Sequence, residues 1–149
     1  KRQDAPVYPR IYFEAIGNIS DNPETAIVLA VESVEVALKT CIAHLDDKTK
    51  WLMDNVPSPP LEKILKEYLP LLVSPNAPAI PNELINNSLK KAVCARNRIV
   101  HLGSYKADKE KTEKWLTDLG RIIAYLECYM GCEWADCFFD RPFNHWFFC

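Results

Sequence analysis

From Ile27 to Leu45 the chain repeats an apolar residue at helical spacing. Ile27, Val31, Val34, Leu38, Cys41, Ile42 and Leu45 fall on one stripe over about five turns. A strand would alternate with a period of two, so the segment reads as an amphipathic helix despite its valines. A stripe this long has to be covered, and the rest of the chain offers further helices to cover it. Asp21-Asn22-Pro23-Glu24 starts the first, with a capping side chain, a proline in the first turn and an acid near the positive helix end. A second is expected over residues 60–73, bent or broken by Pro70 near its end. A third begins near Pro81-Asn82-Glu83 and runs to about residue 101, with Gly103 as its stop. A fourth, from Ala107-Asp108 to about residue 130, carries Trp115, Leu116, Leu119, Ile122, Ile123, Leu126 and Tyr129.

The segments between these helices are connections. Asp46-Asp47 and Pro57-Ser58-Pro59-Pro60 mark one, with Trp51, Leu52 and Met53 extending the first helix or forming a short turn. Pro75, Pro78 and Pro81 stiffen the next. Residues 1–22, with Pro6 and Pro9 and little periodicity, read as a lead-in. Residues 134–149 are rich in aromatics (Trp134, Phe138, Phe139, Phe143, Trp146, Phe147, Phe148) and are expected to fold back on the bundle or to cover a partner surface. No hairpin signal and no repeat period is present. The expected fold is all-α: one antiparallel bundle of four to five helices over residues 1–149.

A chain of 149 residues can bury one proper core but is short for two. It begins at Lys1 and shows no charged-then-apolar leader, which reads as a piece of a longer protein acting in the cytoplasm. No apolar run reaches the roughly 18 residues a membrane span needs. The formal net charge is −2, so the molecule as a whole does not attract nucleic acid. The charge is uneven, however. Residues 11–89 sum to −6 and residues 90–114 to +5, through Lys90, Lys91, Arg96, Arg98, Lys106, Lys109, Lys111 and Lys114 against three acids. A solvated mixed-charge face and a phosphate-attracting patch both fit such a run, and only chemistry nearby separates them.

That chemistry lies on the third helix. Projected at about 100° per residue from Ile85, Leu89, Ala92, Val93, Ile99 and Val100 fall within about 80° of it, and Arg96 falls at about 20°, inside the stripe. A buried guanidinium without partners costs several kcal/mol, and an ordinary core would hold leucine there. Asn97 and His101 sit one turn apart on the flank, with Arg98 beyond them. Glu35 edges into the buried stripe of the first helix and is the expected partner of Arg96. In one reading that ion pair is a packing feature only; in the other it orients Arg96 in a cleft or subunit junction where His101 exchanges protons.

Arg96-Asn97-Arg98-Ile99-Val100-His101 reads R-N-x-x-x-H near the end of a helix in an all-α chain, and this resembles the signature of the HEPN superfamily. The leading long helix, with Val-Glu-Val-Ala-Leu-Lys over residues 34–39, is similar too. The resemblance implies a metal-independent endoribonuclease with no cofactor, a toxin or antiviral effector working as a homodimer that joins two Arg/His pairs in one cleft. It implies that Arg96 holds the scissile phosphate, that Asn97 positions the phosphate or the imidazole, and that His101 moves a proton. Glu35 and Arg98 would support these groups, while Lys90, Lys91 and Lys106 would track the RNA backbone. The Tyr that some HEPN toxins carry two residues after the His is replaced here by Gly103. Some superfamily members have lost cleavage and serve as dimerisation or binding modules, which is the alternative reading, and a further domain or regulatory partner is expected in either case.

The remaining reactive residues point elsewhere. Cys41, Cys94, Cys128, Cys132, Cys137 and Cys149 have no C-x-x-C pair, and three of them lie within expected helices, so unbridged thiols are expected in preference to disulfides. Cys128, Cys132, Cys137, His145 and Cys149 gather towards the end and leave a zinc site open as the lesser reading, with core or interface packing the expected one. His44 is expected on the polar side of its helix and His145 among aromatics. No Gly-rich phosphate loop, G-x-S-x-G or H-E-x-x-H occurs.

Overall fold

The computed structural model describes residues 5–133, 135 and 139. Their regular structure is helical, α with π and 3-10 turns, and no strand occurs among them. The order is α1 (Tyr8–Gly17), α2 (Pro23–Leu45), a 3-10 turn (Asp47–Thr49), α3 (Lys50–Asn55), and a rod made of α4 (Leu61–Lys63), a π turn (Ile64–Tyr68) and α5 (Leu69–Leu72). A second rod follows, made of a π segment (Leu84–Leu89) and α6 (Lys90–Leu102), and α7 (Lys109–Tyr129) closes the bundle. The first expected helix has the predicted start: the Asn22 side chain accepts from the Thr25 amide at 3.2 Å. At α7 the Asp108 side chain accepts from the Lys111 amide at 2.8 Å.

The lead-in is the main correction. Residues 8–17 form α1, which packs along α2 and buries Tyr8, Tyr12 and Ala15. Pro9 sits in its first turn, where a missing N–H costs nothing. α2 is consequently buried on two faces. Ile27, Val31, Val34 and Leu38 form the large apolar stripe, while Ala26, Ala30, Ser33 and Ala37 form a second stripe of small residues. Ser33 on that second stripe donates its hydroxyl to the Tyr8 carbonyl at 2.9 Å, which identifies the small face as the one against α1. α6 and α7 pack on α2 as well. The tyrosines pin α1 to α7: Tyr12 donates to the Leu116 carbonyl at 2.6 Å and Tyr8 to Glu127 Oε1 at 3.1 Å.

Both rods contain a π turn. In the first, Pro70 has no amide to offer and its ring crowds the carbonyl one turn back. The wider turn over Ile64–Tyr68 absorbs that defect without ending the rod. In the second, the turn over Leu84–Leu89 sits where the rod packs against α7. The buried positions include Ser88, Leu89, Ala92 and Ala95, while Val100, expected inside, is 55% exposed. Arg96, expected in the middle of the buried face, lies at its edge and is half-buried. α6 ends at Gly103, whose φ of +60° lets the chain reverse directly after His101 and Leu102.

The aromatic segment falls mostly outside the described residues. Within them, Phe139 stacks on Tyr125 with ring centroids 3.9 Å apart, and its carbonyl accepts from Arg121 Nε.

Two measurements follow from this packing. Tyr12→Phe removes the donor to a buried carbonyl and is expected to cost about 1 kcal/mol of unfolding free energy in denaturant titration. Glu127 is buried with Oε2 unpartnered, and desolvation raises its pKa. A carboxyl whose pKa is raised on folding stabilises the fold while protonated and loses that contribution as pH rises through the folded value. Glu127→Gln is therefore expected to raise the melting temperature at neutral pH and to leave it little changed in acid.

Candidate functional site: a cationic groove between two helical rods

The groove lies between the two rods and encloses about 770 Å³. One wall comes from α6 and the end of the preceding π segment, with Leu89, Lys90, Val93, Arg96, Asn97 and His101. The other comes from Ser58-Pro59-Pro60 and the start of the first rod, with Glu62, Lys63, Lys66 and Glu67. Lys90, Asn97 and His101 are exposed and Arg96 is half-buried, so all four are reachable from the groove. Ala92 and Ala95 take the contact with the bundle, and Arg96 sits at the edge of that buried face. Small residues there let α6 approach closely, and the guanidinium stands where the two rods part.

The expected Arg96–Glu35 ion pair is not formed. Glu35 is buried on α2 and pairs with Lys39 at 3.1 Å, one turn along the same helix, while Lys39 also donates to the Val56 carbonyl at 2.7 Å. Arg96 lines the groove, and an intrahelical lysine completes Glu35 instead. Arg96 has no carboxylate within ion-pair range among the described residues, and its Nε is buried without a hydrogen-bond partner. A desolvated guanidinium nitrogen with nothing to donate to is costly in a finished core and useful in a site awaiting an anion.

The other expected residues separate. Lys90 lines the groove. Arg98 does not: its guanidinium lies over the Tyr105 ring, 5.7 Å from the centroid, where burial raises the Tyr105 pKa. Lys91 is exposed outside the groove lining. Lys106 is exposed in the α6–α7 connection near Glu24, whose carboxylate accepts from the Ala107 amide at 2.8 Å and is held below its usual pKa chiefly by that bond. The basic run of residues 90–114 is thus spread over several surfaces, and only Lys90 and Arg96 of it reach the groove.

The opposite wall was not singled out by the sequence, which marked residues 57–60 as a connection. Its signal was present in Glu62 and Lys66, four residues apart. Glu62 accepts from Lys66 at 2.9 Å and lies 3.9 Å from Lys90 Nζ across the groove. The Lys66 hydrogen bond is the main reason its carboxyl titrates below the usual range. Lys66 also donates to Asn86 Oδ1 on the neighbouring π segment.

Among the described residues, no cysteine lines the groove. Cys41 is buried in the core, with its thiol pKa pushed up to about 12 by burial, which leaves it unreactive. Cys94 is exposed and Cys132 half-buried, and neither is bridged. No group of three metal-ligating side chains occurs among the described residues. Cys137, His145 and Cys149 lie outside them. His44 is exposed, as expected for the polar side of α2. No helix among the described residues is long and apolar enough to cross a membrane. Compared with protein-family models, curated proteins and solved structures, the chain matches none.

An unpartnered Arg96 contributes little to the fold, so Arg96→Leu is expected to leave the melting temperature unchanged or to raise it. Breaking a buried ion pair would instead lower stability by about 3 kcal/mol or more in the same thermal unfolding experiment.

Proposed function

We propose that the groove cleaves RNA without a metal ion, as the resemblance of Arg96-Asn97-Arg98-Ile99-Val100-His101 to the HEPN ribonuclease signature implies. The observation that carries the reading is a guanidinium with no carboxylate partner lining the same groove as Asn97 and His101. RNA supplies its own nucleophile. The 2′-hydroxyl oxygen attacks the adjacent phosphorus, a new P–O2′ bond forms, and the P–O5′ bond breaks. The products are a 2′,3′-cyclic phosphate and a 5′-hydroxyl, so one proton leaves O2′ and one reaches O5′. Arg96 holds the phosphate and offsets the charge that builds on its oxygens. His101 moves a proton at O2′ or at O5′. Asn97 offers an amide to the phosphate or to the imidazole.

In this reading two copies of the chain join to complete the cleft, and the two His101 side chains cover both proton transfers. The biological role that fits is a cytoplasmic toxin or antiviral effector. The non-catalytic alternative drew its support from a structural Arg96–Glu35 pair, and Glu35 is committed to Lys39.

The test is cleavage of a short RNA in the presence of a chelator, followed by analysis of the product ends. His101→Ala is expected to lower the rate by about a hundredfold or more, the usual scale for losing a proton-transfer group. Arg96→Ala is expected to lose a similar factor while keeping the melting temperature. Wild-type protein that leaves RNA intact, or an active His101→Ala variant, overturns the proposal.

A further inference from the structure

The groove holds a second cationic pair besides Arg96, and a carboxylate already occupies it. Glu62 reaches Lys66 on its own rod at 2.9 Å and Lys90 on the facing wall at 3.9 Å. Its carboxylate is thus set between two ammonium groups that both line the groove. Lys66 is held by a second partner, Asn86, so it stays in place when its ion pair opens. Glu62 is itself partly exposed, and its ion pairs are bordered by solvent rather than sealed in the core. Lys90 and Arg96 are six residues apart on one rod, about 9 Å along its axis, a distance that a nucleic-acid strand covers within a couple of nucleotides. The lining charges are Lys63, Lys66, Lys90 and Arg96 against Glu62 and Glu67, so the groove keeps a positive balance even with Glu62 in place.

We infer that Lys66 and Lys90 form a second phosphate subsite, and that Glu62 is an internal stand-in for the phosphate, displaced when a strand binds. The inference rests on the ribonuclease reading and sharpens it, because it assigns the substrate as a strand that places one phosphate at Arg96 and a neighbouring one at Lys66 and Lys90. A displaced Glu62 is left beside a phosphate with its two cations taken, so the carboxylate lowers affinity and favours ligands able to engage both subsites together. A mononucleotide cannot engage both.

The probe is a short 2′-deoxy oligonucleotide, which has the phosphates and cannot be cleaved, with a nucleoside monophosphate as control. Binding is measured by fluorescence anisotropy for wild type, Glu62→Gln, Lys66→Ala, Arg96→Ala and the double variant Glu62→Gln/Lys66→Ala. Glu62→Gln is expected to tighten oligonucleotide binding about two- to fivefold, the scale of one exposed ion pair, and to leave the monophosphate unaffected. Lys66→Ala is expected to weaken oligonucleotide binding, and the gain from Glu62→Gln is expected to vanish in the double variant. Oligonucleotide binding that depends on Arg96 but is unchanged or weakened by Glu62→Gln overturns the second subsite and leaves the ribonuclease reading standing. Binding indifferent to Arg96, or no binding at all, overturns both.

Discussion

The architecture depends on α2 being buried on two adjacent faces. A helix with only one apolar stripe can lie on the outside of a bundle, but α2 also carries Ala26, Ala30, Ser33 and Ala37, and these admit α1 at close range. Burial over so wide an arc leaves its polar groups few choices. Ser33 is satisfied by the Tyr8 carbonyl and Glu35 by Lys39. α1 is then held to α7 through the hydroxyls of Tyr8 and Tyr12, so three helices become one unit. The rods over residues 61–72 and 82–102 lean on that unit, and the groove is the space left where they diverge.

What happens in the groove follows from which face α6 buries. Ala92 and Ala95 face the bundle, and Arg96 lies at the edge of that face, towards the gap. There the guanidinium keeps an open position, and the carboxylate that reaches across the groove is Glu62, on a wall built from a different segment. The two π turns are joined directly, since Lys66 on the first donates to Asn86 on the second.

Buried acids divide into two kinds here. Asp118 is matched by Ser88, Lys114 and Arg121, and its burial is compensated. Glu127 has the Tyr8 hydroxyl on one oxygen and nothing on the other, and its burial raises its pKa against the lowering effect of that hydrogen bond. Glu127 sits on α7 at the junction with α1, away from the groove, so it bears on stability and not on the site.

Local sequence determined the helical elements themselves. The stripes at α2 and α7, the caps at Asn22 and Asp108 and the stop at Gly103 act within a few residues of where they stand, and each is legible without its partners. Arg96, Asn97 and His101 shared a helix in the sequence and share a groove in the structure for the same local reason. Tertiary structure decided the rest. α1 carries a helical pattern of its own, with Tyr8, Tyr12 and Ala15 on one face, but what that face buries against was decided by the small face of α2, tens of residues away. The π turns occur just before Pro70 and where the second rod packs against α7, and the second of them has no mark in the sequence. Glu35 pairs with Lys39 and Glu62 with Lys66 one turn along their own helices, but the approach of Lys90 to Glu62 exists only because packing brings the two rods within a few ångströms.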